Sequence, residues 1–286
     1  MINVIREGSA AVGLSVQGMV PLRQHATSVY LLPDDHAVVR VAPSTAMAAA
    51  ARAVALTRWL VLQGLPVTQP LEIDQPVVRE QYVMTWWRYY PQQLGRPIPG
   101  TKHLGTLLRR LHALPRPPME LPCYKPLASL RSTVEGSSHL ADADRCWLLG
   151  AVDELLEAYS ELRFPLGEGL VHGDAYTGNT LWDGDAVRFG DWDEAGMAPR
   201  ELDLANTFQS VRYGATEDDL RDFVDAYGYD PRTWPGHTIL TRMRDFHTLG
   251  AFIRRSDRGE QAVTAQLYHR LGTLKQRRDS DLWTGF

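Results

Sequence analysis

The sequence predicts an α+β fold: a small N-terminal lobe built on an antiparallel β-sheet with one helix, and a large, mainly helical C-terminal lobe. Short apolar runs bounded by turn residues fill the first 85 positions. An aromatic stretch leading into Pro91 and Gly95 follows at 86–95, and apolar residues at helical spacing dominate 96–286. The expected organisation is therefore one lobe at 1–85, a hinge at 86–95 and a second lobe at 96–286.

Residues 1–19, with Gly8, Gly13 and Gly18, are irregular and admit a short helix or strand. Gly18–Leu22, Ser28–Leu32 and Ala37–Val41 read as strands, the last two divided by the Pro33-Asp34-Asp35 turn. The loop Arg23–Ser28 has no glycine, so it is not a glycine-rich phosphate loop, yet its backbone N–H groups or Thr27 and Ser28 are placed to reach phosphate. Residues 44–63 read as a helix with Ser44 or Thr45 as cap, an alanine-rich start and Gly64 as its stop. Val67–Ile73 and Val77–Thr85 complete the sheet, and Trp86-Trp-Arg-Tyr-Tyr90 opens the hinge, with Thr85 and Trp87 as candidate ligand contacts. Leu104, Leu107, Leu108 and Leu111 share one face of a helix at Thr101–Leu114, beside which His112 reads as a packed histidine. Helices are expected at Pro126–Glu135, Asp142–Leu162, Arg200–Tyr213, Glu217–Tyr227, His237–Arg255 and Glu260–Gln276.

At 286 residues, with 44% hydrophobic and 22% charged side chains, the chain can bury an ample core. A formal charge of −4 argues against a nucleic-acid partner, whose footprint is a basic surface. Cys123 and Cys146 have no metal or redox spacing. The start of the chain lacks a signal-peptide pattern, and no uninterrupted apolar run is long enough for a membrane span, so a cytoplasmic location without membrane contact is expected.

The chemistry concentrates in Val171-His-Gly-Asp-Ala-Tyr-Thr-Gly-Asn-Thr180 and Phe189-Gly-Asp-Trp-Asp193. Leu170-Val171, Thr180–Trp182 and Ala186–Phe189 suggest short strands of a hairpin, with Asp174, Asn179 and Asp191 near its ends. Two carboxylates and an amide oxygen suit Mg²⁺, which prefers oxygen ligands and keeps room for water or phosphate. His-x-Asp with Asn five residues after the Asp, then an Asp after the next strand, is the arrangement used for phosphoryl transfer. Metallophosphoesterases also use Gly-Asp and Gly-Asn pairs, but they want several histidines near the motif, and those are missing here. A protein kinase would need a longer activation segment between Asp191 and the helix near 200.

His172-Gly173-Asp174, the Trp after Asp191, and Glu201-Leu-Asp-Leu-Ala205 together resemble the aminoglycoside phosphotransferase family, small-molecule kinases related to choline kinases and protein kinases. The resemblance implies a two-lobed, protein-kinase-like fold and an ATP–Mg²⁺-dependent transfer of the γ-phosphate to the hydroxyl of a small molecule, an aminoglycoside or another amino sugar or antibiotic, with GTP an alternative donor. It implies that Asp174 is the catalytic base, that Asn179 and Asp191 hold Mg²⁺, that His172 supports the loop by bonding backbone near Asp191, and that Asp203 is a buried supporting carboxylate. Asp193, Glu194 and Asp245, with Asp257 and Glu260 nearby, are the acidic candidates for the acceptor side, interleaved with arginines.

One departure from the family pattern stands out. The third strand offers Arg40 where a Lys is usual, the three lysines all lying at 102 or beyond, and the helix at 44–63 contains no Asp or Glu to orient it. The rival reading is accordingly a nucleotide- or ligand-binding pseudokinase with a regulatory role.

Overall fold

The computed structural model describes residues 1–24 and 27–284. His25 and Ala26, in the loop expected to reach phosphate, lie outside the described residues. In chain order the elements are α1 (Ile2–Ala11), β1 (Val20–Gln24), β2 (Ser28–Leu32), β3 (Ala37–Pro43), α2 (Met47–Leu62), β4 (Val77–Arg79), β5 (Tyr82–Arg88) and α3 (Thr101–His112). There follow α4 (Ala128–Gly136), α5 (Asp142–Ser160), β6 (Glu168–Val171), β7 (Thr180–Asp183), β8 (Ala186–Phe189) and β9 (Gly196–Pro199). The chain closes with α6 (Glu201–Phe208), α7 (Glu217–Tyr227), α8 (Gly236–Asp257) and α9 (Gln261–Lys275). An antiparallel sheet in the N-terminal region and helices in the C-terminal part make the α+β class expected from the sequence.

The residues group into two compact units, Met1–Leu121 with His172–Ala195, and Pro122–Val171 with Gly196–Phe286. This division differs from boundaries at 85 and 95. Strand β5 runs through Arg88, so Trp86–Arg88 belong to the sheet. The motif segment is stitched into the first unit by backbone bonds, Phe189 N–H to Pro66 O at 2.9 Å and Thr68 N–H to Phe189 O at 2.9 Å.

In the first unit the sheet order is β1-β2-β3-β5-β4, every pair antiparallel. Alternation along β3 buries Ala37, Val39 and Val41 with Leu32, Met84 and Trp86 against Val4 and Ile5 of α1. Val38 and Arg40 are thereby turned to the opposite face. Val77–Thr85 is not one strand: Glu80, at φ 50°, turns the chain between β4 and β5. Val67–Ile73 makes only isolated bridges, Val67 to Phe189 and Pro70 to Trp87. Ser44 and Thr45 sit in a 3-10 turn and do not cap α2. By length and composition alone Ser44–Leu62 is long and apolar enough to cross a membrane, although Arg52 and Arg58 interrupt the apolar run. In the structure α2 packs on β5, burying Ala53, Val54, Leu56 and Leu60, and its Arg58 donates to the carbonyls of Leu71 and Ile73.

In the second unit α8 packs against α4, α5, α6 and α9. Their core holds Leu130, Val134, Val152, Phe246, Leu249, Ile253 and Leu267. The helix expected at 200–213 ends at Phe208 and tightens into a 3-10 turn at Gln209–Tyr213. Strand β6 pairs with β9, Val171 opposite Gly196, and β9 was not anticipated; the hairpin proper is β7–β8 in the first unit. Cys123 and Cys146 are exposed free thiols.

Candidate active site

The segment His172–Ala195 folds around one buried imidazole. The His172 ring stacks on Phe189 with centroids 4.0 Å apart and lies 4.7 Å from the ring of Trp192. Its Nε2 lies 2.8 Å from the Gly190 carbonyl, and its Nδ1 faces the Asp174 N–H at 3.3 Å. The tautomer with the proton on Nε2 satisfies both bonds. One side chain thus fixes the loop that carries Asp174 and the loop that carries Asp191. Gly173 supports the same crossing: at φ +83° it occupies the left-handed region, and a Cβ there would sit 2.3 Å from the Glu194 carbonyl oxygen.

Asn179 joins the two loops again. Its Nδ2 donates to the Asp174 carbonyl at 2.9 Å and to Asp174 Oδ2 at 3.2 Å, while its backbone carbonyl accepts from the Gly190 N–H at 2.8 Å. The amide nitrogen is committed to Asp174, so the side-chain oxygen is the Asn179 group left for a cation. Asp191 has φ 61°, a left-handed backbone conformation uncommon outside glycine.

Asn179, Asp191, Asp193 and Arg40 all line one cavity of about 630 Å³, whose apolar wall includes Val29, Val38 and Trp87. Arg40 spans both acids: Nη2 is 2.6 Å from Asp193 Oδ2 and 3.2 Å from Asp191 Oδ1, and Nη1 is 3.3 Å from Asp193 Oδ1. Burial alone would lower the Arg40 pKa, but the Asp193 and Asp191 carboxylates outweigh it and raise the value. Arg40 is thus neither free nor oriented by α2.

The donor set suits a hard cation. Among the described residues no group of three or more His, Cys, Asp or Glu side chains is arranged to hold a metal ion. A cation here would take the Asp191 carboxylate and the Asn179 amide oxygen and complete its shell with water and phosphate oxygens, the habit of Mg²⁺.

Other sequence candidates fall in different places. Thr27 lines the cavity, whereas Ser28 begins β2 and is not among the lining residues. Thr85 is also absent from the lining; it is buried, and its Oγ1 accepts the Trp87 indole N–H at 2.9 Å, so it positions Trp87. Glu194 is exposed beside the site. Asp203 is fully buried at the start of α6 in the second unit.

Asp245 corrects an expectation. Its carboxylate accepts from Gln209 at 3.0 Å and from Arg212 at 2.9 and 3.1 Å, with 4% of the residue exposed, so it closes a helix junction and does not face an acceptor. Asp257 and Glu260 are likewise engaged, the first by the Ser137–His139 turn and the second by Arg255. Sequence reasoning missed Val38, Tyr90 and Gln92 among the lining residues. Alternation about Arg40 marks Val38 as its same-face neighbour. Gln92 gave no signal, because its role is tertiary: its amide donates to the Trp182 carbonyl at 3.0 Å and accepts the Trp182 N–H at 3.0 Å.

A sequence profile described as APH, phosphotransferase enzyme family, matches residues 20–240. No curated protein matches the chain. Solved structures do. Amicoumacin kinase hAmiN, in complex with AMP-PNP, Ca²⁺ and Ami, superposes with a TM-score of 0.80 at 13% identity, over 99% of this chain and 95% of that one. A choline/ethanolamine kinase family protein from Mesorhizobium loti gives 0.66 at 17%, over 96% and 94%. Aminoglycoside phosphotransferase APH(3'')-Id from Streptomyces rimosus gives 0.58 at 20%, over 84% of this chain and 97% of that one. At these identities the likeness is one of fold, the protein-kinase-like fold.

Proposed function

Because the chain belongs to the phosphotransferase enzyme family, a family of kinases acting on small molecules, we propose that it moves the γ-phosphoryl group of ATP to a hydroxyl of a small molecule, with Mg²⁺ beside the nucleotide. The observation that carries this reading is the convergence of Arg40, Asn179 and Asp191 on one cavity, with Asp174 hydrogen-bonded to Asn179. Phosphoryl transfer requires little covalent chemistry from the protein; positioning and charge stabilisation do the work. In this reading Asp174 orients the acceptor hydroxyl and accepts its proton, and Arg40 grips phosphate oxygens. Asn179 and Asp191 would hold Mg²⁺, which would supply neutralisation of developing charge. Val29, Val38 and Trp87 offer an apolar wall suited to a purine.

The acceptor we favour is an aminoglycoside or a related amino sugar or antibiotic. The fold is shared with an amicoumacin kinase and an aminoglycoside phosphotransferase, and Glu194 supplies an exposed acid next to the site. The supply of ATP makes the cytoplasm the expected compartment.

Two measurements test the reading. Thermal stabilisation by ATP and GTP, with and without Mg²⁺, is compared between wild type and Asp191→Ala; Mg²⁺-dependent stabilisation absent from the variant is expected. Asp174→Asn is then expected to lose turnover while binding AMP-PNP as wild type does. Wild type that no nucleotide stabilises would overturn the proposal.

A further inference from the structure

Kinase-like sites orient the phosphate-gripping cation of the third strand with an acid on the following helix. In this chain neither α2 nor the turn before it contains Asp or Glu. A guanidinium in the middle of β3, opposite Val29 and Thr85, would then have no partner from that side of the sheet.

We infer that Asp193 takes over this task and is the positioning residue for Arg40, placed two residues after the metal-side carboxylate Asp191 and not on a helix. The inference rests on the nucleotide-binding reading of the site. Two features of the geometry support it. Asp193 meets Arg40 with both oxygens and both terminal nitrogens, at 2.6 and 3.3 Å, the fork-to-fork pairing that fixes the plane of a guanidinium. Asp191 meets it through Nη2 alone, at 3.2 Å. The two acids therefore have different holds on one cation, and the firmer hold belongs to the acid outside the proposed metal pair. The same geometry turns both Asp193 oxygens to Arg40 within the cavity, a role distinct from the acceptor contact expected from the sequence.

The arrangement has a functional consequence. When a cation takes the Asp191 carboxylate, Arg40 gives up one bond and keeps two, so it stays aimed at the phosphates. If Asp193 is removed, the carboxylate left to Arg40 is Asp191, and the guanidinium then competes with the cation. Loss of Asp193 should thus weaken the grip on phosphate and raise the Mg²⁺ requirement together.

The test is a double-mutant cycle on AMP-PNP binding by calorimetry, in EDTA and across a Mg²⁺ titration, with Arg40→Gln, Asp193→Asn and the double variant. Asp193→Asn is expected to weaken AMP-PNP in EDTA by about tenfold, the scale of a charge-assisted contact, and to move the Mg²⁺ midpoint upward. The double variant is expected to bind no more weakly than Arg40→Gln alone. Asp193→Glu, which keeps the charge, should recover much of the loss. A circular-dichroism melt confirms that each variant is folded. Additive effects, or an Asp193→Asn variant with wild-type AMP-PNP affinity and a raised KM for the acceptor, would overturn the inference and leave the phosphotransferase reading intact. Wild type that binds no AMP-PNP would overturn both.

Discussion

Arg212 and Asp245 form an ion pair with Nη2 and Oδ2 2.9 Å apart and side chains only 4% and 6% exposed. Burial pushes the Asp245 pKa up, with the Arg212 bonds and charge acting against it. Without Asp245, Arg212 keeps Asp279 at 3.1 Å and the carbonyls of Arg278 and Asp281, so the loss is that of charge-assisted hydrogen bonds, about 1.5–3 kcal/mol. Asp245→Ala is therefore expected to lose that much stability in urea unfolding, with the acceptor KM unchanged at temperatures where it stays folded. A raised acceptor KM with little loss of stability would return Asp245 to the acceptor site.

Gly173 offers a sharper test of the loop. An alanine there takes on a left-handed conformation that costs an L-residue about 1–2 kcal/mol, and its Cβ would meet the Glu194 carbonyl at 2.3 Å. Because that contact is with backbone, the loop carrying Asp174 must shift. Gly173→Ala is expected to lower kcat by at least about tenfold, since small misplacements of positioning groups are costly, and to lower Tm by a few degrees.

A pH dependence follows from His237. Burial holds its imidazole pKa below the ordinary 6.5, with Asp230 raising it and Arg232 lowering it further. Its Nδ1 is buried without a partner among the described residues. A depressed histidine binds fewer protons in the folded state than in the unfolded one. Its contribution is thus fully present above pH 6.5 and is lost as pH falls through the lower folded value. The Tm of wild type should drop between neutral pH and pH ~5 more steeply than that of His237→Gln; parallel curves would remove His237 from the account.

Asp257 pins a turn. It accepts from the Ser137 hydroxyl at 2.8 Å and from the backbone N–H groups of Ser138 and His139 at 3.1 and 2.9 Å. Its slight burial favours the neutral form, but these bonds prevail and hold the pKa below the usual carboxylate value. Asp257→Ala should cost about 1–2 kcal/mol, as loss of a capping carboxylate does, and activity per folded molecule should be unchanged. The stabilisation is present above the ordinary Asp pKa and disappears as pH falls through the depressed one, so wild type and variant should converge in acid.

Local chemistry made much of this molecule legible in advance. Ser28–Leu32 alternates between turn residues, and Glu217–Tyr227 follows a Thr216 cap with Asp219 completing a capping box; both elements have the bounds expected. The motif spacing was legible for the same reason, since Asp174 and Asn179 lie within one loop. What stayed hidden depends on residues distant in sequence. Arg40 and Asp193 are 153 positions apart, so no window of sequence could show that the missing helix acid is replaced. Asp245 read as an acceptor-side acid because Gln209 and Arg212 reach it only through tertiary packing. The turn at Glu80 was missed because a left-handed residue is usually announced by Gly or Asn.

The β6–β9 pairing carries one more implication. Val171 and Gly196 are strand partners, so His172–Ala195 leaves and re-enters the helical unit through a doorway one strand spacing wide. Closing that doorway is the work of the two strands and does not depend on what the enclosed residues do. The segment's two ends are therefore held by one strand pair, whatever its length, while its interior is tied to Pro66 and Thr68. A protein engineer could graft a related segment that keeps those ties between Val171 and Gly196 without redesigning the helical core.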